Sequence, residues 1–264
     1  MKRWISGTKN GVPFFELIDF LLSPTYIKKA KDRIKSIKEE GPYLCFNFYD
    51  FDYPLYFPKS IDIKHLFQVI AESFYNKDWH FYEALRYKVK KDDIVLDCGA
   101  GEGLFSFSVI NRCKKVYAIE PLPVFCESMK LTFANFGNLE VMPYALSDTC
   151  GNAVISDAGI QSALGTSSQG ISVPVTTIDT LFLEKGIPVT YIKADLEGYE
   201  LKVLHGAREI IKKYKPIISV TTYHNKGDAA LISDFLRSLS NYKIETKGIS
   251  AETGDPIMLH ACVG

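Results

Sequence analysis

The sequence predicts an α/β fold, a Rossmann-like and mostly parallel sheet with helices on both faces, and three observations predict it. From Asp93 onward, short apolar runs alternate with helical patterns, as βαβ units require. The first run, Ile94 to Cys98, contains Asp97 near its end and passes into Gly99-Ala100-Gly101-Glu102-Gly103 before a helical pattern starts at Leu104. The second, Val116 to Glu120, also delivers an acid at its end and is followed by Pro121. Two consecutive buried parallel strands that end in carboxylates, with a glycine turn between them, build a nucleoside-binding crevice.

Taken in order, residues 1–40 read as a helical extension. Phe14, Leu17, Ile18, Leu21 and Leu22 form a stripe at helical spacing. A basic helix follows, with Lys28, Lys29, Lys31, Arg33, Lys35 and Lys38 around Ile27, Ile34 and Ile37. Such helices either touch a membrane surface or partner, or pack on their own core or in a homodimer with solvated lysines. Residues 41–90 lead into the core. Gly41-Pro42 breaks the helical pattern, Tyr43 to Phe57 reads as a β-hairpin with Asp50 near its turn, and two helices fill Ile63 to Val89. In residues 91–264, strands fall near 94–98, 116–120, 139–144, 190–195 and 216–222, and helices near 104–112, 123–136, 201–214 and 228–240. A hairpin at 242–247 and 256–262 adds an antiparallel edge. Residues 149–176, rich in Gly, Ser and Thr with Ile155, Ile171, Val173 and Val175 in short pieces, read as a hairpin or lid beside the sheet's carboxyl edge.

Composition narrows the function. Lys+Arg and Asp+Glu both number 31, so there is no global basic field to hold nucleic acid. The six cysteines (45, 98, 113, 126, 150 and 262) contain no Cys-x-x-Cys pair, which argues for a reducing compartment and against a disulfide frame or zinc site. The apolar stretch Val12 to Leu22 carries Glu16 and Asp19 and is too short to span a bilayer, so a cytoplasmic location without a transmembrane segment is expected.

The glycine turn discriminates between nucleoside cofactors. A nicotinamide site calls for Gly-x-Gly-x-x-Gly, whereas Gly99, Gly101 and Gly103 give Gly-x-Gly-x-Gly with Leu104 in place of the third glycine. A carboxylate at Asp97 would repel a pyrophosphate and welcome a cation, and S-adenosylmethionine brings an ammonium and a sulfonium. Glu120 suits the ribose hydroxyls, and Pro121 and Leu122 can face the adenine. At the third strand end stand Ala145, Leu146, Ser147 and Asp148, where backbone groups or the last two side chains would meet the adenine amino group.

The fourth strand runs Tyr191-Ile-Lys-Ala-Asp-Leu-Glu-Gly198, placing Asp195 where a transferred methyl would sit and Glu197 in the turn into the next helix. Either acid could instead serve only as a favourable charge at a helix start, and Asp195 could be a metal ligand. The fifth strand ends in His224, a loop residue or a general base. The acids near Asp195 lack the further oxygen ligands that magnesium sites gather, so no metal is expected.

With these segments assembled, the chain resembles the FkbM family of S-adenosylmethionine-dependent methyltransferases. The matching stretches are Asp97 to Gly103, Tyr117 to Pro121, Ala145 to Asp148, Thr177 to Leu181, Ile192 to Gly198, Val203 to Ala207, and Lys215-Pro216 with Tyr223-His224. The resemblance covers about residues 80–262, and the Asp-x-Glu-Gly element is its most specific part. It implies a class I methyltransferase fold, seven-stranded with an antiparallel last hairpin, and O-methylation of small molecules, sugars included. The expected function is therefore S-adenosylmethionine-dependent methylation of a hydroxyl on a small metabolite or a sugar or glycan precursor. Asp97, Gly99, Ala100, Gly101, Gly103, Glu120, Pro121, Ala145, Leu146 and Asp195 would bind cofactor, and His224 or Asp195 would take the proton while Glu197 shapes the site. Two alternatives stay open: methylation of a small amine, and a non-catalytic cofactor-binding scaffold whose N-terminal helices are its interaction surface.

Overall fold

The computed structural model describes residues 2–84, 86–155, 164–165 and 170–264. The N-terminal part comprises α1 (Lys2–Ile5), α2 (Phe14–Leu21), α3 (Tyr26–Arg33), β1 (Ile34–Glu40), β2 (Tyr43–Phe48), β3 (Leu55–Pro58) and α4 (Ile63–Phe74). The expected basic helix through Lys38 stops at Arg33. Residues Ile34–Glu40 form instead an edge strand antiparallel to β2, with Ile37 opposite Phe46. The Gly41-Pro42 break is thus a hairpin turn, and a division at residue 40 falls between two paired strands. The expected hairpin after it is present as β2 and β3. Of the stripe on α2, Leu17 is buried with Val12 and Trp79, while Phe14, Leu21 and Leu22 are exposed.

Among the described residues, one of the two helices expected between Ile63 and Val89 is present, α4. Beyond α4 the described chain runs in turns whose polar groups are met by side chains: Asp78 accepts from the His80 amide and Glu83 from the Val89 amide. From the core, the buried Tyr191 hydroxyl lies 2.9 Å from the Tyr82 carbonyl and 3.1 Å from that of Tyr87. These local bonds replace the helical ladder.

The remainder runs β4 (Ile94–Cys98), α5 (Leu104–Val109), β5 (Lys115–Ile119), α6 (Pro123–Thr132), β6 (Leu139–Met142), β7 (Ala145–Leu146), β8 (Gly151–Ile155), β9 (Leu164–Gly165), β10 (Ile171–Thr176) and α7 (Ile178–Phe182). It ends with β11 (Tyr191–Ala194), α8 (Glu200–His205), α9 (Arg208–Tyr214), β12 (Ile217–Thr221), α10 (Asp228–Leu239), β13 (Tyr242–Lys247) and β14 (Met258–Val263). The main sheet has seven strands in the order β13-β14-β12-β11-β4-β5-β6, parallel except for the last hairpin. The fold is therefore the mixed α/β, mostly parallel architecture that the sequence predicts. Alternate residues of its strands feed two cores: Val95, Val116, Ala118 and Tyr191 pack with α4, α5 and α6, and Leu96, Ile119, Ile192 and Ala194 pack with α7 to α10.

Two details differ from the expected elements. The helix over 201–214 is broken at Gly206, where a Cβ would lie 2.2 Å from the Ser147 carbonyl oxygen. The second half restarts with Asp179 accepting from the Glu209 and Ile210 amides. In 149–176, β8 and β10 do pair antiparallel, within a small sheet ordered β7-β10-β8-β9. The remainder of the expected hairpin or lid, at 156–163 and 166–169, lies outside the described residues.

Candidate active site

A cleft open to solvent lies at the carboxyl ends of β4, β5 and β11, where the strand order turns back on itself beside β4. One part of it is built on the glycine turn. The Gly99 and Ala100 amides both donate to the Ile119 carbonyl, which bends the chain back over β5. Gly99 has φ +70°, and a Cβ there would sit 1.9 Å from the Asp195 carbonyl oxygen, so only glycine lets the two strand ends approach. Gly99, Ala100, Gly101, Glu120, Pro121, Ala145, Leu146, Asp195 and Glu197 all line the cleft. Glu120 accepts from the Gly101 and Leu122 amides, one on each oxygen, and each oxygen keeps a lone pair for a ligand. Burial pushes the Glu120 carboxyl up to about 7, and that of its cleft neighbour Glu102 likewise.

Asp97 and Gly103 do not line the cleft. Gly103 starts α5 from a left-handed conformation. Asp97 is fully buried and faces the core: its Oδ1 is 3.0 Å from the Lys193 ammonium, and its Oδ2 accepts from the Ser106 amide and hydroxyl. The expected contact of Asp97 with a cofactor ammonium is corrected on this point. Burial disfavours the charge on Lys193, but Asp97 and Asp195 outweigh it and raise its pKa. Lys193 also donates to the Gly99 carbonyl at 2.7 Å and itself reaches the cleft.

Asp195 and Glu197 follow β11. Glu197 holds a left-handed backbone, φ +50°, which a non-glycine residue adopts at a cost and which active sites favour. Burial raises its carboxyl above the usual range. Burial also works against ionisation of Asp195, yet His80, Lys193, His224 and the Tyr82 hydroxyl together hold its pKa low. His224 is not in the cleft lining. Its Nδ1 lies 2.7 Å from Glu200 Oε1, and its Nε2 lies 3.4 Å from Glu197 Oε2 and 3.9 Å from Asp195 Oδ1. Burial opposes its charge, but these three acids push its pKa up to about 9. An imidazole that keeps its proton at neutral pH is a poor base there, which removes the physical reason for assigning it that role.

Several site residues escaped the sequence reading. The N-terminal part supplies Val69, Glu72, Ser73 and Tyr82 to the cleft, and the Tyr82 hydroxyl donates to Asp195 at 2.6 Å. Lys193 carried one usable signal, a lone cation inside an apolar strand.

The FkbM methyltransferase domain pattern matches residues 97–243, more than half of the chain. The chain belongs to the FkbM methyltransferase family. The match takes in every strand end of the cleft. Glu72, His80 and Tyr82 fall outside the matched range, so these contributions to the site come from beyond the family domain.

Among solved structures, the FkbM methyltransferase of Methylobacillus flagellatus KT superposes with a TM-score of 0.53 at 18% identity, over 76% of this chain and 55% of that one. This chain therefore spans little more than half of that protein's length, and the likeness concerns the fold alone. An rRNA methylase from Streptococcus thermophilus (TM-score 0.42, 13% identity, 66% of this chain and 88% of that one) is more distant. So is a Streptococcus mutans protein solved in complex with SAH (TM-score 0.42, 12% identity, 66% of this chain and 90% of that one). At that distance they say nothing about what this chain acts on. No helix among the described residues is long and apolar enough to cross a membrane.

Proposed function

We propose that this FkbM-family methyltransferase transfers a methyl group from S-adenosylmethionine to a hydroxyl of a small metabolite or a sugar or glycan precursor. The observation that carries the reading is one continuous cleft lined both by the glycine turn with Glu120 and by Asp195 with Glu197. The residues fit the cofactor in all but one respect. Gly99 to Gly101 give a backbone cradle, Glu120 has lone pairs for two ribose hydroxyls, Pro121 and Leu122 offer an apolar face to adenine, and Ala145-Leu146 closes the far side. Asp97 is the misfit, and Asp195, ionised and facing the cleft, takes its place as partner of the methionine ammonium.

The sulfonium is an activated methyl donor, so the protein has to align the acceptor oxygen and receive its proton. Of Asp195 and Glu197, Glu197 is the better proton acceptor. It faces the cleft, and its raised pKa brings it nearer the working pH than Asp195. His224, charged beside both, orients their carboxylates. Tyr82 fixes the Asp195 rotamer from the opposite side.

A second reading is favoured by one observation. Among the described residues, five carboxylates, those of Glu72, Glu102, Glu120, Asp195 and Glu197, line the cleft against one lysine, Lys193, a lining that suits a cationic amine acceptor. One experiment separates the readings. Calorimetry should show S-adenosylmethionine and its demethylated product binding and NAD not binding. Labelled methyl should then pass to a member of a panel of sugars and other hydroxyl compounds. Glu197→Gln should slow transfer by roughly a hundredfold or more while cofactor affinity holds. Transfer confined to amines would replace the hydroxyl reading. Cofactor binding with no turnover across both panels would favour the scaffold instead.

A further inference from the structure

Behind the cleft wall at Asp195, two side chains outside the lining, Glu200 and His224, bring further donor atoms together. Asp195 at the end of β11, Glu200 at the start of α8 and His224 just past β12 each bring one donor atom within 4.8 Å of the others. Three elements anchored in the sheet thus converge on one point. Thr221 supports it, its hydroxyl 3.3 Å from Asp195 Oδ1 and 3.0 Å from Glu200 Oε1. Glu197 Oε2 stands beside the same imidazole at 3.4 Å. Among the described residues, only histidines come within ion-pairing distance of Asp195, Glu197 and Glu200; the nearby Lys193 is paired to Asp97. The cluster's counter-charge is imidazole alone, and a metal ion bound there takes the place of the His224 proton.

A second observation points to a ligand at the same place. His80 is 6% exposed, and neither of its ring nitrogens has a hydrogen-bond partner. Its Nε2 is aimed at Asp195 Oδ2 from 3.9 Å, on the far side of that carboxylate from His224. Glu200 Oε2, on a fully buried side chain, is likewise without a partner. Buried polar atoms are costly to leave unsatisfied, and a cation in the cluster meets the open Glu200 oxygen, while His80, between Asp195 and Glu72 Oε2 at 3.8 Å, backs the Asp195 carboxylate.

We propose that Asp195, Glu200 and His224 bind one divalent cation, with His80 as the neighbouring imidazole that completes or orients the set. Two carboxylates and one or two imidazoles are a mixed oxygen and nitrogen donor set, which fits Mn²⁺ better than a soft ion. The proposal departs from the sequence-based expectation of no metal, because Glu200 and His224 approach Asp195 only in the fold. What the cation does rests on the methyl-transfer reading: beside Asp195 and Glu197 it polarises the acceptor hydroxyl and eases loss of its proton.

The test reads the cation itself. Full-length protein freed of metal by chelation is titrated with Mn²⁺, and the free ion is followed by electron paramagnetic resonance. One equivalent should bind. His224→Ala should weaken that binding by at least ~10-fold, and His80→Phe by roughly 10-fold, as loss of an outer-shell partner does. Crystals of the wild-type protein soaked in Mn²⁺ and measured at the manganese absorption edge should show a peak among Asp195, Glu200 and His224, a result that needs no variant to fold. Absence of saturable binding by the wild type, or a peak elsewhere, overturns the proposal. Neither measurement uses turnover, so failure of the methyl-transfer reading would leave the metal result standing, and the reverse.

Discussion

A carboxylate at the end of a buried strand can face the ligand or the core, and Asp97 and Asp195 take opposite choices. Sequence shows the acid and the strand end but not what the side chain meets, which for Asp97 is the Lys193 ammonium and Ser106. Removing one member of a fully buried pair leaves the other charge uncompensated, at about 3–5 kcal/mol. Asp97→Asn should therefore lower unfolding free energy by that order in urea titration. A variant of normal stability but poor cofactor affinity would return Asp97 to the cleft. His260 supplies a second prediction at this scale. Burial, with a smaller effect of Lys247, pushes its pKa down to about 3, and its ring stacks on Tyr87. Its folded pKa is depressed below that of the unfolded chain. The unfolded state therefore binds the extra proton between about 6.5 and 3, and stability falls as pH falls through that window. The loss from this group is about 1.4 kcal/mol per pH unit. Urea midpoints from pH 7 to 4 should show a shallower acid decline in His260→Gln than in wild type; parallel curves would mean that the histidine charges without penalty.

At the scale of elements, the glycine turn was legible because backbone chemistry alone dictates it. Gly99 and Gly101 both have positive φ, but their surroundings differ: a Cβ on Gly99 meets the Asp195 carbonyl at 1.9 Å, and one on Gly101 meets nothing within 4 Å. Gly101→Ala should cost only the left-handed strain, on the order of 1–2 kcal/mol, and still bind cofactor. Gly99→Ala should cost more and abolish binding, because β4 and β11 must part. Thermal melts and calorimetry on the pair check this, and equal effects would show that backbone strain alone matters. The misread element is β1. Its sequence Ile-Lys-Ser-Ile-Lys-Glu-Glu carries apolar residues three apart, a helical spacing, and its charges are those that protect a sheet edge. Only pairing with β2 makes it a strand, and that contact is invisible to local pattern. The same holds for 201–214, where the break at Gly206 answers to the Ser147 carbonyl of another segment.

At the scale of the molecule, the parallel sheet and the strand ends that line the cleft with the glycine turn and Glu120 were readable because each carries its own acid or turn. The part around Asp195 was not, since it is assembled from Glu72, His80 and Tyr82 of the N-terminal part against that residue, a sequence distance of more than a hundred residues. That assembly implies one cooperative body. Phe46, Phe57, Leu66 and Ile70 share a buried cluster with Val95, Phe107 and Val116 of the core, and Trp79 packs with Ile249 and Ile257 near the last strand. Arg3 and Asn10 donate to carbonyls of Ala251 and Gly254, tying the first helix to the same C-terminal segment. Both tryptophans, Trp4 and Trp79, lie in the N-terminal part, whereas most helix and strand lies beyond it. Tryptophan emission therefore reports the N-terminal part, and far-ultraviolet circular dichroism reports mainly the core. If the two unfold together, their urea transitions coincide in midpoint and slope. Binding of S-adenosylhomocysteine should then raise both midpoints equally, although its cradle lies in the core, because a ligand of the folded state stabilises every part coupled to it. An earlier tryptophan transition, unmoved by ligand, would mean that residues 1–90 open on their own and that Tyr82 reaches Asp195 only part of the time.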